Sequence, residues 1–204
     1  MTAATTSPPI DTTDLCSRLR GADQPGFALF EGFLDARACE AMRDEVVEIA
    51  RLEAAGQSVA PALVTRETQA DFRGVRPEDF VAKIFRLHRR EPFREFLRDR
   101  RVCQILVDAI GPDVDCFLSQ FIFKNPQAWG QPWHQDSFYF PFEPARPIVG
   151  LWLAVTEATL ENGCLHVLPG SQCEPVHDHV PDARPRAPYG YVEIVDHDTS
   201  ASRP

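Results

Sequence analysis

The chain has 204 residues, 44% hydrophobic and 25% charged, and a formal net charge of −9. That is enough chain for one domain with a real core. The acidic balance argues against general nucleic-acid affinity, because a phosphate backbone would be repelled, and no run approaches the ~18 apolar residues needed to cross a bilayer.

Residues 1–14 are rich in Thr, Ala and Pro and lack both a basic start and an apolar stretch. They read as a disordered leader rather than a secretory signal, with a single domain expected over 15–204. Gly26 to Phe33 (GFALFEGF) reads as a short strand. Asp35 then caps a helix through about Ala55, whose apolar positions Cys39, Met42, Val46, Ile49 and Leu52 recur at three and four and so bury one face. Residues 56–80 mix Gly, Pro and charge and read as loop. A second helical stretch runs from about Pro92 to Ile110, where Gly111-Pro112 stops it. Around it lie Arg86, Arg89, Arg90, Arg94, Arg98, Arg100 and Arg101. A solvated helix face is the plain reading, with an anion site for coenzyme A phosphates as the alternative.

Beyond Gly111 the texture changes. Val114 to Lys124 alternates, with Gln120, Ile122 and Lys124 on one face and Phe121 and Phe123 on the other. Pro147 to Thr156 is a second strand, Asn162-Gly163 a turn, Cys164 to Leu168 a third strand, and Pro169-Gly170-Ser171 a further turn. Tyr189 to Val195 is one more strand candidate. Helices first and strands later predict a sheet sandwich or barrel with helices outside. The six cysteines form no C-x-x-C pair. They read as buried free thiols in a reducing compartment, which makes the cytoplasm the default location.

The sharpest feature is Trp133-His134-Gln135-Asp136. A non-haem ferrous site wants two imidazoles and one carboxylate on one face of the ion, leaving open positions opposite. In an extended chain residues i and i+2 point the same way, so His-x-Asp on a strand presents both donors together. The motif alone is weak. Its surroundings are not: Trp133, Phe138, Tyr139, Phe140 and Phe142 would wall such an ion off from water.

HQDSFYFPFEP, His134 to Pro144, resembles the metal-binding segment of the phytanoyl-CoA dioxygenase family. IVGLWLAVTEATLENGCLHVLPGS, Ile148 to Ser171, is similar to the strand, turn and strand that follow there, and EGFLD at Glu31 to Asp35 to the family's opening. The resemblance implies a mainly β fold with flanking helices, a cupin-like double-stranded β-helix or jelly roll. It implies an Fe(II)- and 2-oxoglutarate-dependent oxygenase hydroxylating a small organic substrate, tilted by the HQDSFYFPF run toward an acyl-CoA, with ascorbate as a candidate reductant. His134 and Asp136 match the first two iron ligands. Lys83, in VAKIF, matches a lysine that contacts 2-oxoglutarate. Gln120 stands where the family often has a Met beside that co-substrate, Trp152 matches a tryptophan there, and Gln135 lies between the ligands.

The family's distal motif, a Gly-Asp turn followed by the third-ligand His and a carboxylate-binding Arg, is not found before Pro204. His88, His166, His177, His179 and His197 do not match it. The expectation is an oxygenase domain lacking its C-terminal strands. Alternatives are a rearranged third ligand, an inactive jelly-roll binding protein, or a zinc-binding cupin-like hydrolase.

Overall fold

The computed structural model describes residues 11–204 except 69–73, 127, 129, 145, 188 and 189. The first ten residues of the predicted leader, and Tyr189 of the last strand candidate, therefore lie outside the described residues. Thr12 donates its hydroxyl to Asp108 (2.5 Å), and helix α1 (Leu15–Arg20) follows.

The first core is built around helix α2 (Ala36–Ala54). Asp35 caps it as predicted, accepting the Ala38 amide at 2.8 Å, which satisfies one of the amides a helix start leaves orphaned. Its inward residues Met42, Val46, Ile49 and Ala50 are buried. Val46, Ile49 and Ala50 pack with Ala62, Val81, Ile84 and Leu87. Val81 and Ile84 come from strand β2 (Val81–Phe85), the middle of a three-stranded antiparallel sheet between β1 (Leu63–Arg66) and β3 (Gln120–Ile122). The register places Val64, Ile84 and Phe121 in one row, which faces α2. The alternate rows, Leu63–Phe85–Gln120 and Thr65–Lys83–Ile122, therefore point to the other face. That face bears on the site described below.

A second core joins α1 to helix α4 (Arg100–Ile110) through Leu15, Ile105 and Ala109, with Ala28, Phe30, Phe33 and Val149 packed against it. Arg101 ties the segment before α2 to this core, donating to the Phe33 carbonyl (2.7 Å) and lying 4.4 Å over its ring.

Several expectations are corrected. Residues 56–80 contain β1, because Leu63–Arg66 finds β2 as a partner. Among the described residues, Gly26–Phe33 pairs with no strand; Gly26 and Gly32 both adopt positive φ and turn the segment so that Phe30 and Phe33 reach the second core. The helical stretch Pro92–Ile110 is broken into α3 (Phe93–Leu97) and α4. Asp99 interrupts it by capping α4, its carboxylate accepting the Arg101 amide at 2.8 Å. Of the arginines around these helices, Arg90 pairs with Glu45, Arg94 with Glu91 and Arg101 with Asp99.

The second half carries less sheet than its alternation predicts. Among the described residues, Gln120–Ile122 is the part of the 114–124 stretch that enters a ladder, and Pro147–Thr156 enters none. Cys164–Leu168 is reduced to one bridge, Val167 to Arg203. The two predicted turns are present, with Gly163 and Gly170 at φ of 81° and 88°. A second sheet pairs β4 (His179–Pro181) with β5 (Val192–Ile194). Two small antiparallel sheets with flanking helices are thus what the described residues form, and "mainly β" overstates their strand content. The cysteines are free, but Cys16, Cys103, Cys116 and Cys173 are exposed rather than buried. Among the described residues, no helix is long and apolar enough to cross a membrane.

Candidate metal centre

The segment carrying His134 and Asp136 is anchored to the second sheet. The Trp133 carbonyl accepts the Ile194 amide at 2.9 Å, which lays Trp133 along β5. Gln135 is extended (φ −111°, ψ 129°), and its amide is accepted by His179 Nε2 at 3.1 Å. The Gln135 side chain donates from Nε2 to the Pro175 carbonyl (3.1 Å) and accepts the His177 amide at Oε1 (2.8 Å). Asp136 then opens a single helical turn, α5 (Asp136–Tyr139). The predicted strand placement is therefore corrected: the chain is extended through Gln135 and turns at Asp136, where the following amides close back on the carbonyls of Gln135 and Asp136.

The two side chains still meet, with His134 Nε2 3.5 Å from Asp136 Oδ1. Two donors each about 2.0–2.2 Å from one ion can be that far apart. His134 Nδ1 lies 2.8 Å from the Pro132 carbonyl oxygen. A carbonyl only accepts, so Nδ1 carries a proton and donates it. That bond fixes the ring and leaves Nε2 as the nitrogen available to a metal, which is how metal-bound histidines are commonly oriented. Tyr139 packs edge-on to the ring, centroids 5.7 Å apart. The contact with the His134 ring and the Lys83 ammonium hold the Asp136 carboxyl below its ordinary range against the opposing effect of burial. The residues present fit a divalent ion held by one imidazole and one carboxylate. Among the described residues, no third His, Cys, Asp or Glu groups with these two.

Lys83 reaches this centre from the face of the first sheet that points away from α2. Its ammonium lies 3.4 Å from Gln131 Oε1 and 4.6 Å above the Tyr191 ring. Gln131 donates onward to the Tyr139 hydroxyl (2.9 Å), which also accepts the Val192 amide (3.2 Å). Burial pushes the Lys83 ammonium below the ordinary lysine value, Lys124 pushes the same way, and Asp136 opposes. Burial also raises the Tyr191 phenol to about 12, so it stays neutral beside the lysine. A cation whose surroundings disfavour its charge gains strongly from an arriving anion.

The other predicted residues are placed differently. Gln120 lies on the Lys83 face of the sheet, one row over and exposed. Gln135 is committed to the 175–177 loop. Trp152 is 52% exposed, and no hydrogen bond or ring contact among the described residues joins it to His134. His179 donates from Nδ1 to the His177 carbonyl (2.7 Å), accepts the Gln135 amide, and stacks on Phe138. Both its nitrogens are used, so its role is to hold the turn. Gln131, Tyr139 and Tyr191 were not singled out from sequence. Tyr139 was counted only as apolar wall, and nothing local marks the other two.

Comparison with known proteins adds a family. The model of the family described as phytanoyl-CoA dioxygenase (PhyH) matches residues 22–201. A mouse protein named phytanoyl-CoA dioxygenase domain-containing protein 1 is 32% identical over 189 residues, covering 76% of this chain and 64% of its own length. The bovine protein of the same name is 30% identical over 188 residues, with the same coverage. Bovine peroxisomal phytanoyl-CoA dioxygenase is 26% identical over 161 residues, covering 77% of this chain and 47% of its own length. The chain thus spans less than two thirds of each of these relatives.

Proposed function

The chain belongs to the phytanoyl-CoA dioxygenase family, and from that premise we propose that it serves an Fe(II)- and 2-oxoglutarate-dependent oxygenase that hydroxylates a small organic substrate. The observation that carries this reading is the His134 ring, fixed by its bond to Pro132 with Nε2 beside the Asp136 carboxylate. The jelly roll is the architecture in which that pair would work, and the family is its support.

His134 Nε2 and Asp136 would hold the iron. Bound there, iron and 2-oxoglutarate supply the oxidising power that installs a hydroxyl from dioxygen on the substrate. The protein's own contribution is placement. Pro132 keeps the imidazole tautomer, and the Gln135 clamp keeps His134 and Asp136 on one turn. Lys83 would meet a carboxylate of 2-oxoglutarate, a charge-assisted contact worth roughly 1.5–3 kcal/mol. Gln131 and the Tyr191 ring hold that ammonium in place. Tyr139 packs edge-on against the His134 ring and Phe138 packs on Tyr139, while the Asp136 side chain stays open to solvent. A branched acyl-CoA or similar carboxylate derivative is the substrate class, on the strength of the HQDSFYFPF run.

The test is turnover. With Fe(II), 2-oxoglutarate and ascorbate in air, the protein should release succinate, and His134→Ala and Asp136→Ala should each abolish it. Undiminished succinate from either variant would end this assignment.

A further inference from the structure

A second group of metal-type donors lies in the loop that the Gln135 side chain holds. Glu174 follows the turn Ser171–Cys173, His177 lies three residues on, and His197 comes from beyond the end of β5. His177 Nε2 is 2.7 Å from Glu174 Oε2, and His197 Nε2 is 3.0 Å from the same oxygen. The two rings lie 4.6 Å apart, tilted by 32°. The ligand atoms of all three residues lie within 4.8 Å of one another, and among the described residues this is the one such group of three.

One carboxylate oxygen therefore faces two imidazole nitrogens. His177 Nε2 makes a well-formed hydrogen bond to it, whereas His197 Nε2 is buried and makes none despite the short distance. A buried nitrogen left in that state is costly. A cation at the centre of the three would give that nitrogen a partner. Donors at 2.0–2.1 Å in tetrahedral array lie about 3.3 Å apart, so the 2.7 and 3.0 Å spacings to Glu174 Oε2 need to open by about 0.3–0.6 Å. The His177, His197 and Glu174 side chains are 27%, 23% and 34% exposed, shielded yet open to an entering ion.

We propose that Glu174, His177 and His197 form a divalent-cation site of the zinc class, separate from His134 and Asp136. Two imidazoles and one carboxylate with an open fourth position is a donor set zinc accepts, and for such donors zinc outbinds ferrous iron. The site has a mechanical consequence. Gln135 bonds the Pro175 carbonyl and the His177 amide, so an ion fixing residues 174–177 braces the residue between His134 and Asp136. The binding claim stands whether or not the chain turns over 2-oxoglutarate.

The experiment removes the first centre. The chelator-stripped double variant His134→Ala/Asp136→Ala is titrated with Zn(II) and, separately, Co(II), with folding checked by circular dichroism. It should bind one equivalent of Zn(II), and Co(II) should show the intense visible absorption of low coordination. Glu174→Gln, His177→Asn and His197→Asn in that background should each weaken binding at least about 100-fold, more than loss of a partner behind the ligands costs. A folded double variant that binds no Zn(II), or an equivalent that survives His177→Asn/His197→Asn, overturns the proposal. If a variant misfolds, the unmutated protein decides. Zn(II) should protect His177 and His197 from diethyl pyrocarbonate, read by mass spectrometry. Equal labelling with and without Zn(II) overturns the site.

Discussion

Strand β2 and the stretch Pro147–Thr156 have similar apolar composition and opposite fates. In β2, Val81 and Ile84 are wholly buried, with β1 on one side, β3 on the other and α2 packed on the core face. In 147–156, Leu151 and Trp152 stand exposed, and no ladder forms among the described residues. An alternating apolar pattern states what a segment can bury; its neighbours decide whether it does so.

The largest consequence falls on the first region. Ile84→Ala should cost about 2–5 kcal/mol in denaturant unfolding, the usual loss for a large aliphatic side chain in a packed core. A cost near zero would erase the contrast between the two regions.

The next effect sharpens it, because β2 carries Lys83 on its other face. Lys83→Met should weaken 2-oxoglutarate binding roughly 10- to 100-fold, from the loss of about 1.5–3 kcal/mol of charge-assisted contact. The pH dependence has a definite sign. The Lys83 ammonium is held below the ordinary lysine value by burial and by Lys124. Affinity should therefore fall as pH rises through that lowered value, earlier than for an ordinary lysine. Lys124→Met removes one cause of the depression and should move the falling limb to higher pH. A limb that stays put would show that Lys124 does not act on Lys83.

How much of this was legible in the sequence follows the same contrast. Helix α2, its Asp35 cap and its buried face were readable, because periodicity and capping are local. The faces of β3 were readable too: Phe121 and Phe123 turn to the core and Gln120 and Ile122 away. β1 was missed because Leu63–Arg66 is a strand only by virtue of β2. The segment Gly26–Phe33 was misread because its aromatics pack around turns at Gly26 and Gly32 rather than in a ladder. His134 and Asp136 were visible as a motif, but the turn at Asp136 was not. The meeting of Glu174, His177 and His197 could not be read, since His197 joins the others only through the β4–β5 pairing.

A smaller effect concerns the turn leading into β2. Asp79 accepts the amides of Val75 and Arg76 and pairs with the Arg76 guanidinium. These contacts, the Arg76 side chain first, hold its carboxyl below the usual range. Its stabilisation is present above the ordinary carboxylate value and is lost as pH falls through the lowered one. Asp79→Asn should cost about 1 kcal/mol near neutral pH, the scale of a lost capping contact. That difference should vanish in acid, as melting curves from pH 6 to 2 would record. Smallest of all, Leu151→Ala should change stability by about 0.5 kcal/mol or less, as exposed substitutions do. A loss rivalling that of Ile84→Ala would mean that 147–156 is packed after all.

The claim that His134 and Asp136 share one ion is tested most directly without turnover. Under anaerobic conditions the protein is titrated with Fe(II) in the presence of 2-oxoglutarate, and the visible charge-transfer absorption of the chelate is recorded. One equivalent should develop the band in the unmutated protein, and neither His134→Ala nor Asp136→Ala should develop it. A band of undiminished strength in either variant would contradict the account.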